Sequence, residues 1–128
     1  MGNKEKGANA ERELLKLFVD QGWMAIRVAG SGILPEPSCD LLAGKLNKKY
    51  AIECKTCKDK KRYFSQEQIS NFLKFSEIFG LEPLIAIRFN REGWFFMKLE
   101  NIEKTDKALA VSLENAKKHG KRFFDLLK

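Results

Sequence analysis

Apolar residues recur at three- and four-residue spacing near the start of the chain, and this period predicts a helix over residues 8–21. The apolar stripe of this helix consists of Leu14, Leu15, Leu17 and Phe18. Glu11 falls inside the same stripe. An unpaired carboxylate on a core-facing helix surface costs free energy, so we expect Glu11 to meet a cation, a metal or a pocket open to water.

The pattern then changes to the two-residue period that is typical of strands. Apolar residues alternate over 24–28, which predicts a first strand, and a segment rich in Gly, Pro and Ser over 30–38 predicts a loop. Residues 40–43 and 48–55 have the pattern of two strands joined by a turn. We therefore expect a hairpin directly after the loop.

A second helix is predicted from the capping box Ser65-x-x-Gln68, and Gly80 is expected to end it. Its broad apolar stripe consists of Ile69, Phe72, Leu73, Phe75 and Phe79. Because the stripe covers much of the helix surface, we expect this helix to pack against a sheet.

The second half of the chain predicts two more strands and a short tail. Residues 84–89 form an almost continuous apolar run, as in a central strand, and 94–99 pair with them through a turn. A short strand over 108–113 and a short helix over 121–127 are expected. The order of elements predicts one α/β domain, residues 1–128, with a central mixed five- or six-stranded sheet flanked by helices.

Composition and charge narrow the function. The 128 residues are 44% hydrophobic and 11% aromatic, which argues for one packed domain, and no segment has the length of a membrane span or the form of a secretory signal. We therefore expect a soluble cytoplasmic protein. The net charge is +7, and residues 45–62 carry eight basic side chains against two acidic ones. Such a segment is typical of phosphate binding by nucleic-acid-binding proteins, and an ordinary solvated surface is the alternative.

Cysteine and histidine do not offer an obvious catalytic or zinc centre. Three cysteines are an odd number for a disulfide framework, and the pair Cys54-x-x-Cys57 lacks two further ligands for a structural zinc. The only histidine, His119, lies far along the chain. The sequence therefore argues against a nucleophile that depends on histidine, and carboxylates are the better candidates for catalysis.

An acid begins one strand of the predicted hairpin, and an acid and a lysine end the other, giving Asp40-x(12)-Glu53-x-Lys55. Strand alternation puts Glu53 and Lys55 on one face and Cys54 on the other. Two neighbouring carboxylates repel each other, but a hard divalent cation between them makes the arrangement favourable, and oxygen ligands favour Mg²⁺ or Mn²⁺. Lys55 could then orient a water molecule or offset charge on a phosphate. A charged strand face without function is the alternative.

Taken with Glu11 and the basic segment, these residues resemble the archaeal Holliday-junction resolvases, a branch of the nuclease superfamily that includes many type II restriction enzymes. The resemblance covers residues 6–99 in order. The matching segments are Lys6-Gly7-Ala8-x-Ala10-Glu11-Arg12-Glu13, Arg27-x-Ala29-Gly30-Ser31-Gly32, Asp40-Leu41-x-Ala43, Tyr50-x-Ile52-Glu53-x-Lys55, Phe75-Ser76-x-x-Phe79-Gly80 and Gly93-Trp94.

The resemblance implies a restriction-endonuclease-like fold and a structure-specific endonuclease. Such an enzyme would resolve four-way DNA junctions by paired, Mg²⁺-dependent hydrolysis, with Mn²⁺ as a substitute, and leave 5′-phosphate and 3′-hydroxyl ends. A restriction-type or repair nuclease that cuts linear duplex DNA and a non-catalytic DNA-binding module are the alternatives. Location at the nucleoid is expected, and partners such as a sliding clamp or recombination proteins stay open.

The resemblance also implies roles for particular residues. The catalytic set would be Glu11, Ser31, Asp40, Glu53 and Lys55. The metal would be held by Glu11, Asp40, Glu53 and the Cys54 main-chain carbonyl. Together with the basic segment, the resemblance gives a DNA-contacting set of Lys4, Lys6, Arg12, Arg27, Lys58, Lys60, Lys61 and Arg62.

Two symmetric nicks in one junction call for two sites, so we expect a C2 homodimer. Its interface is predicted to be aromatic, because the chain has more ring surface than a core of this size needs. The predicted interface residues are Phe72, Phe75, Phe79, Trp94 and Phe96. For each of them, burial in the core is the alternative.

Overall fold

The computed structural model describes residues 3–29 and 37–128. In chain order, its elements are α1 (Asn3–Asp20), β1 (Met24–Arg27), β2 (Leu41–Lys45), β3 (Lys48–Cys57), β4 (Lys61–Phe64), α2 (Gln66–Phe79), β5 (Glu82–Phe89), β6 (Gly93–Lys98), a 3₁₀ turn (Leu99–Asn101), β7 (Glu103–Lys104), β8 (Leu109–Ser112), α3 (Leu113–His119) and α4 (Phe123–Leu126). The first helix begins before the predicted residue 8.

Five strands form the main sheet, in the order β1-β2-β3-β5-β6. β3 and β5 run parallel, and every other neighbouring pair is antiparallel. A parallel pair needs a crossover connection, and α2 lies within it. β5 is buried along most of its length, as its apolar sequence predicted. The prediction of an α/β fold with a mixed sheet flanked by helices is confirmed.

The sheet has a hydrophobic core on each face. On one face α1 packs Leu14 and Phe18 against the strands, and on the other face α2 packs Phe72. The residues of β3 divide by alternation, so that Cys54 belongs to the α1 side and Ala51 to the α2 side. The odd-numbered positions of β3 therefore face α2, and the even-numbered positions face α1.

A second, three-stranded sheet in the order β4-β8-β7 was not predicted. The segment that forms β4 is short and mostly polar, and it pairs with β8, which lies 45 or more residues away along the chain. The strand predicted over 108–113 is β8, and the helix predicted over 121–127 contains α4. The short helix α3 between them was missed. Among the described residues, no helix is long and apolar enough to cross a membrane.

β1 is the edge strand of the main sheet. Its alternation was predicted, but Met24 and Ile26 are 77% and 57% exposed. An edge strand has a neighbour on one side only, so alternation there does not ensure burial. α1 also contacts β5 and the other edge strand, β6, through Glu13. The Glu13 carboxylate accepts hydrogen bonds from Trp94 Nε1 on β6 at 2.8 Å and from Arg88 Nη1 on β5 at 2.5 Å.

Candidate active site

Asp40 and Glu53 lie next to each other where β2 begins. The register pairs Leu41 with Ile52, so the residues one step further along each strand, Asp40 and Glu53, stand opposite each other. The Asp40 N–H donates to the Ile52 carbonyl at 3.0 Å, and the Cys54 N–H donates to Asp40 Oδ2 at 2.8 Å. The side chains of Asp40 and Glu53 also share a hydrogen bond. The prediction that these two carboxyl groups meet is confirmed, while their catalytic role stays a prediction.

Glu53 is only 9% exposed and lies on the face that α2 covers. Burial raises the pKa of its carboxyl group from the ordinary 4.5 to about 9, and the hydrogen bond and negative charge of Asp40 add to the rise. Lys55 and Gln68 act in the opposite direction but are outweighed. Without a cation between them, the two carboxyl groups therefore hold a proton at neutral pH.

This shift predicts how stability depends on pH in the protein kept in EDTA. The folded protein holds the Glu53 proton more tightly than the unfolded chain does, so this contribution to the free energy of unfolding is complete below about 4.5 and is lost as the pH rises toward about 9. A Glu53→Gln variant has no such titration. Its Tm should exceed that of the wild type by about 5 °C or more at about pH 9, and by little at about pH 5. Melting curves measure this, and a difference that does not grow with pH would contradict it.

Lys55 lies two residues beyond Glu53 on the same face, with its Nζ 3.9 Å from Glu53 Oε2. With Asp40 and Cys54 it lines a cavity of about 470 Å³ at the end of β3. Four further basic side chains line the same cavity, namely Lys6, Lys58, Lys61 and Arg62. Positive charge of this kind suits a phosphate group.

Glu11 reaches the same cavity from the α1 side, where it forms an ion pair with Arg27 at 3.0 Å between Oε1 and Nη2. The prediction that Glu11 meets a cation or an open pocket is confirmed. Its role as a third metal ligand stays a prediction, and Glu11 lines this cavity together with Asp40 and Cys54. Across residues 3–29 and 37–128, no three acidic, histidine or cysteine side chains lie close enough to share one ion.

The remaining predicted DNA contacts are spread around the cavity. Lys60 borders a neighbouring cavity, and exposed Arg12 donates to Asn9 Oδ1 at 3.2 Å. Ser31 and the side chain of Lys4 lie outside the described part of the chain. Contact of any of these residues with DNA stays a prediction.

The five aromatic residues predicted for a dimer interface divide into two groups. Phe72, Trp94 and Phe96 are buried within the single chain, at 2%, 7% and 2% exposure, so their assignment to an interface is wrong. Their rings fill the two cores that the sheet needs on its faces. Phe79 is 61% exposed and packs its ring 5.4 Å from that of half-buried Phe75. Only these last two are available to a partner.

The sequence did not predict that Gln68 lies at the site. Gln68, interpreted above only as part of a capping box, places its Nε2 3.5 Å from Glu53 Oε2. Topology supplies the signal that could have found it. The crossover helix α2 starts after β3 and returns over the sheet, so its first turn lies near the carboxyl end of β3, where Glu53 and Lys55 are.

The central strand of this mixed sheet carries Glu53-x-Lys55 toward its carboxyl end, with the Asp40 carboxyl group opposite Glu53 and a basic cavity beside Asp40 and Lys55. This arrangement is typical of nucleases. Carboxyl pairs of this kind suit a divalent cation, and the basic wall suits a phosphodiester. Fold and site together define the restriction-endonuclease-like class.

Comparison with known proteins gives the family. The family model for archaeal Holliday junction resolvases (Hjc) matches residues 2–128. The chain is 36% identical over 108 residues to the crossover junction endodeoxyribonuclease Hjc of Archaeoglobus fulgidus, covering 84% of this chain and 79% of that protein. It is 37% identical over 125 residues to the enzyme of the same name from Methanocaldococcus jannaschii, covering 91% and 90%.

A solved structure agrees with the sequence comparisons. The structure of the Archaeoglobus fulgidus Hjc, a Holliday junction resolvase, matches this one with a TM-score of 0.86 and 32% sequence identity, covering 91% of this chain and 94% of that one. The chain belongs to the archaeal Holliday junction resolvase family. The resemblance noted in the sequence, and the class of nuclease that it implied, are confirmed.

Proposed function

We propose that this chain resolves four-way DNA junctions by paired, Mg²⁺-dependent hydrolysis of phosphodiester bonds, leaving 5′-phosphate and 3′-hydroxyl ends. The observation that carries the proposal is the hydrogen-bonded pair of Asp40 and Glu53, with Lys55 at 3.9 Å from Glu53, beside a basic cavity. Membership of the resolvase family supports the choice of substrate. Because the substrate is chromosomal DNA, we also propose a cytoplasmic, nucleoid-associated location.

Asp40 and Glu53 fit a divalent cation, and Glu11 and the Cys54 main-chain carbonyl would be the further protein ligands. The fit rests on the donor set, because the carboxyl groups of Asp40 and buried Glu53 lie opposite each other, and a cation between them removes the repulsion that two ionised carboxylates would have. Hard oxygen donors favour Mg²⁺, with Mn²⁺ as a substitute. When bound, such an ion supplies Lewis-acid activation of the phosphate and of water.

The chain's own residues supply the rest of the chemistry. The Lys55 ammonium group lies at the cavity wall, where it offsets negative charge that builds up on the phosphate oxygens during in-line attack. Glu11 lines the same cavity, and its ion pair with Arg27 holds the guanidinium group of Arg27 next to it. The oxygen of a water molecule forms the new bond to phosphorus and becomes part of the 5′-phosphate. The bond to the 3′ oxygen breaks, and that oxygen takes up a proton to leave as the 3′-hydroxyl group.

A junction assay tests the proposal. Cleavage of an immobile four-way junction and of its component duplexes should be compared with Mg²⁺, Mn²⁺ or EDTA at several salt concentrations. We expect junction cleavage that requires the metal ion and junction binding that weakens steeply with salt. Equal rates on junction and duplex would favour the nuclease of linear DNA. Binding without any cleavage would favour the non-catalytic module.

We further propose a C2 homodimer, because residues 3–29 and 37–128 contain one such site and resolution needs two symmetric nicks. The supporting surface lies at the end of α2, where Phe79 and Ile78 are 61% and 77% exposed. Exposed apolar side chains that lie side by side on a soluble domain mark interaction surfaces. The half-buried Phe75 ring packs against the Phe79 ring.

This surface predicts that Phe79→Asp separates the dimer. A carboxylate at the centre of an apolar interface is costly to desolvate, so the variant should have the mass of one chain in size-exclusion chromatography with light scattering. Phe124 on α4 is a matched control, because it is 63% exposed. Phe124→Asp should leave the dimer intact. A Phe79→Asp protein that stays dimeric would show that the interface lies elsewhere.

A further inference from the structure

The first turn of α2 contains one of the two hydrogen bonds of a capping box. Ser65 precedes the helix with extended backbone, and its Oγ accepts the Gln68 N–H at 3.0 Å. In a complete capping box, the side chain of the residue at the Gln68 position would return to the N–H of the capping residue. The Gln68 amide lies instead 3.5 Å from Glu53 Oε2.

Glu53 is therefore contacted from three sides. Asp40 hydrogen-bonds to it from the neighbouring strand, and Lys55 approaches along β3 itself. Gln68 is the contact from α2, the helix that covers this face. Its amide is neutral, so it can donate to the carboxyl group without repelling a cation bound beside it.

We propose that Gln68 is a positioning residue for Glu53, which holds the carboxyl group in the orientation that metal binding requires. The inference rests on the proposed function, since Glu53 needs an orientation only if it is a ligand. Partners that orient metal ligands affect metal affinity and activity more than they affect the fold. A donor distance of 3.5 Å fits this role, because hydrogen bonds at catalytic groups are often long before substrate and metal bind.

The test compares Gln68→Ala with Gln66→Ala. Both residues lie in the first turn of α2, but the side chain of Gln66 is exposed to solvent. Alanine favours helix, so both variants should keep their Tm close to that of the wild type. We expect Gln68→Ala to weaken Mn²⁺ binding about tenfold in calorimetric titrations of the full chain without DNA, and to lower junction cleavage by a similar factor. Gln66→Ala should match the wild type in both measurements.

A second variant separates the lost donor from lost volume. Gln68→Met keeps the length of the side chain and removes the hydrogen-bond donor, so it should weaken Mn²⁺ binding as Gln68→Ala does. If both Gln68 variants bind Mn²⁺ as tightly as Gln66→Ala, the positioning role is wrong. If they lose Mn²⁺ affinity only in proportion to a fall in Tm, Gln68 serves the fold alone, which also overturns the inference.

The two proposals fail in different ways. Wild-type protein that binds Mn²⁺ but does not cut junctions would overturn the proposed function, while the titrations would still test Gln68. Wild-type protein that cuts junctions, together with Gln68 variants that bind Mn²⁺ normally, would overturn only the role of Gln68.

Discussion

Glu53→Gln should abolish cleavage of four-way junctions, with a loss of about 10³-fold or more, while leaving junction binding unchanged. Glutamine has nearly the shape of the protonated glutamate that burial favours at this position, so the fold and the basic cavity should persist. The amide, however, cannot acquire the negative charge that holds a divalent cation. Single-turnover cleavage and gel-shift binding in EDTA measure the two effects separately.

Glu67→Gln is the matched control for this substitution. Glu67 is an exposed acid in the first turn of α2, so Glu67→Gln makes the same chemical replacement of a carboxyl group by an amide without touching the site. It should cut and bind as the wild type does. Loss of binding in parallel with cleavage in Glu53→Gln would contradict the separation of a cutting centre from a binding surface.

Lys55→Met should lower the cleavage rate at saturating junction by about 10²-fold or more, because it removes the ammonium group beside the reacting phosphate. Methionine keeps much of the apolar stem of the lysine, and the side chain of Lys55 is only 22% exposed, so packing should be preserved. Rates measured at several junction concentrations separate this loss from weaker binding.

Lys58→Met provides the comparison, because Lys58 lines the same cavity but is exposed to solvent. We expect it to weaken junction binding modestly, to lower the salt slope by about one, and to leave the saturated rate intact. Equal losses of saturated rate in the two variants would mean that Lys55 acts only through the general positive charge of the cavity.

The central part of the fold and the main site pair could be predicted because they follow from local patterns. Strand alternation alone put Glu53 with Lys55, and the hairpin put Asp40 opposite Glu53. Both depend on residues that are near each other in sequence. The second sheet could not be predicted in this way, since β4 pairs with a strand from the tail of the chain and its own sequence is short and polar.

Other features depend on three-dimensional packing and could not be predicted from local patterns. The stripe that holds Glu11 showed that its carboxylate needs a partner, but not that Arg27 would supply it across two elements. The rings of Trp94 and Phe96 looked like excess surface until the sheet proved to need a core on each face. The capping pattern predicted the Gln68 main-chain hydrogen bond to Ser65, but the contact of its side chain with Glu53 depends on how α2 packs on the sheet.

The position of Glu53 in the middle of the sheet has a consequence during protein synthesis. Asp40, Glu53 and Lys55 leave the ribosome well before β5 (Glu82–Phe89), the strand that covers one side of β3. Domains made in this order fold as units once their later segments are available. A growing chain therefore contains the acidic residues and the lysine of the site before the sheet that positions them has formed. We expect the nuclease to become active only after β5 has been synthesised.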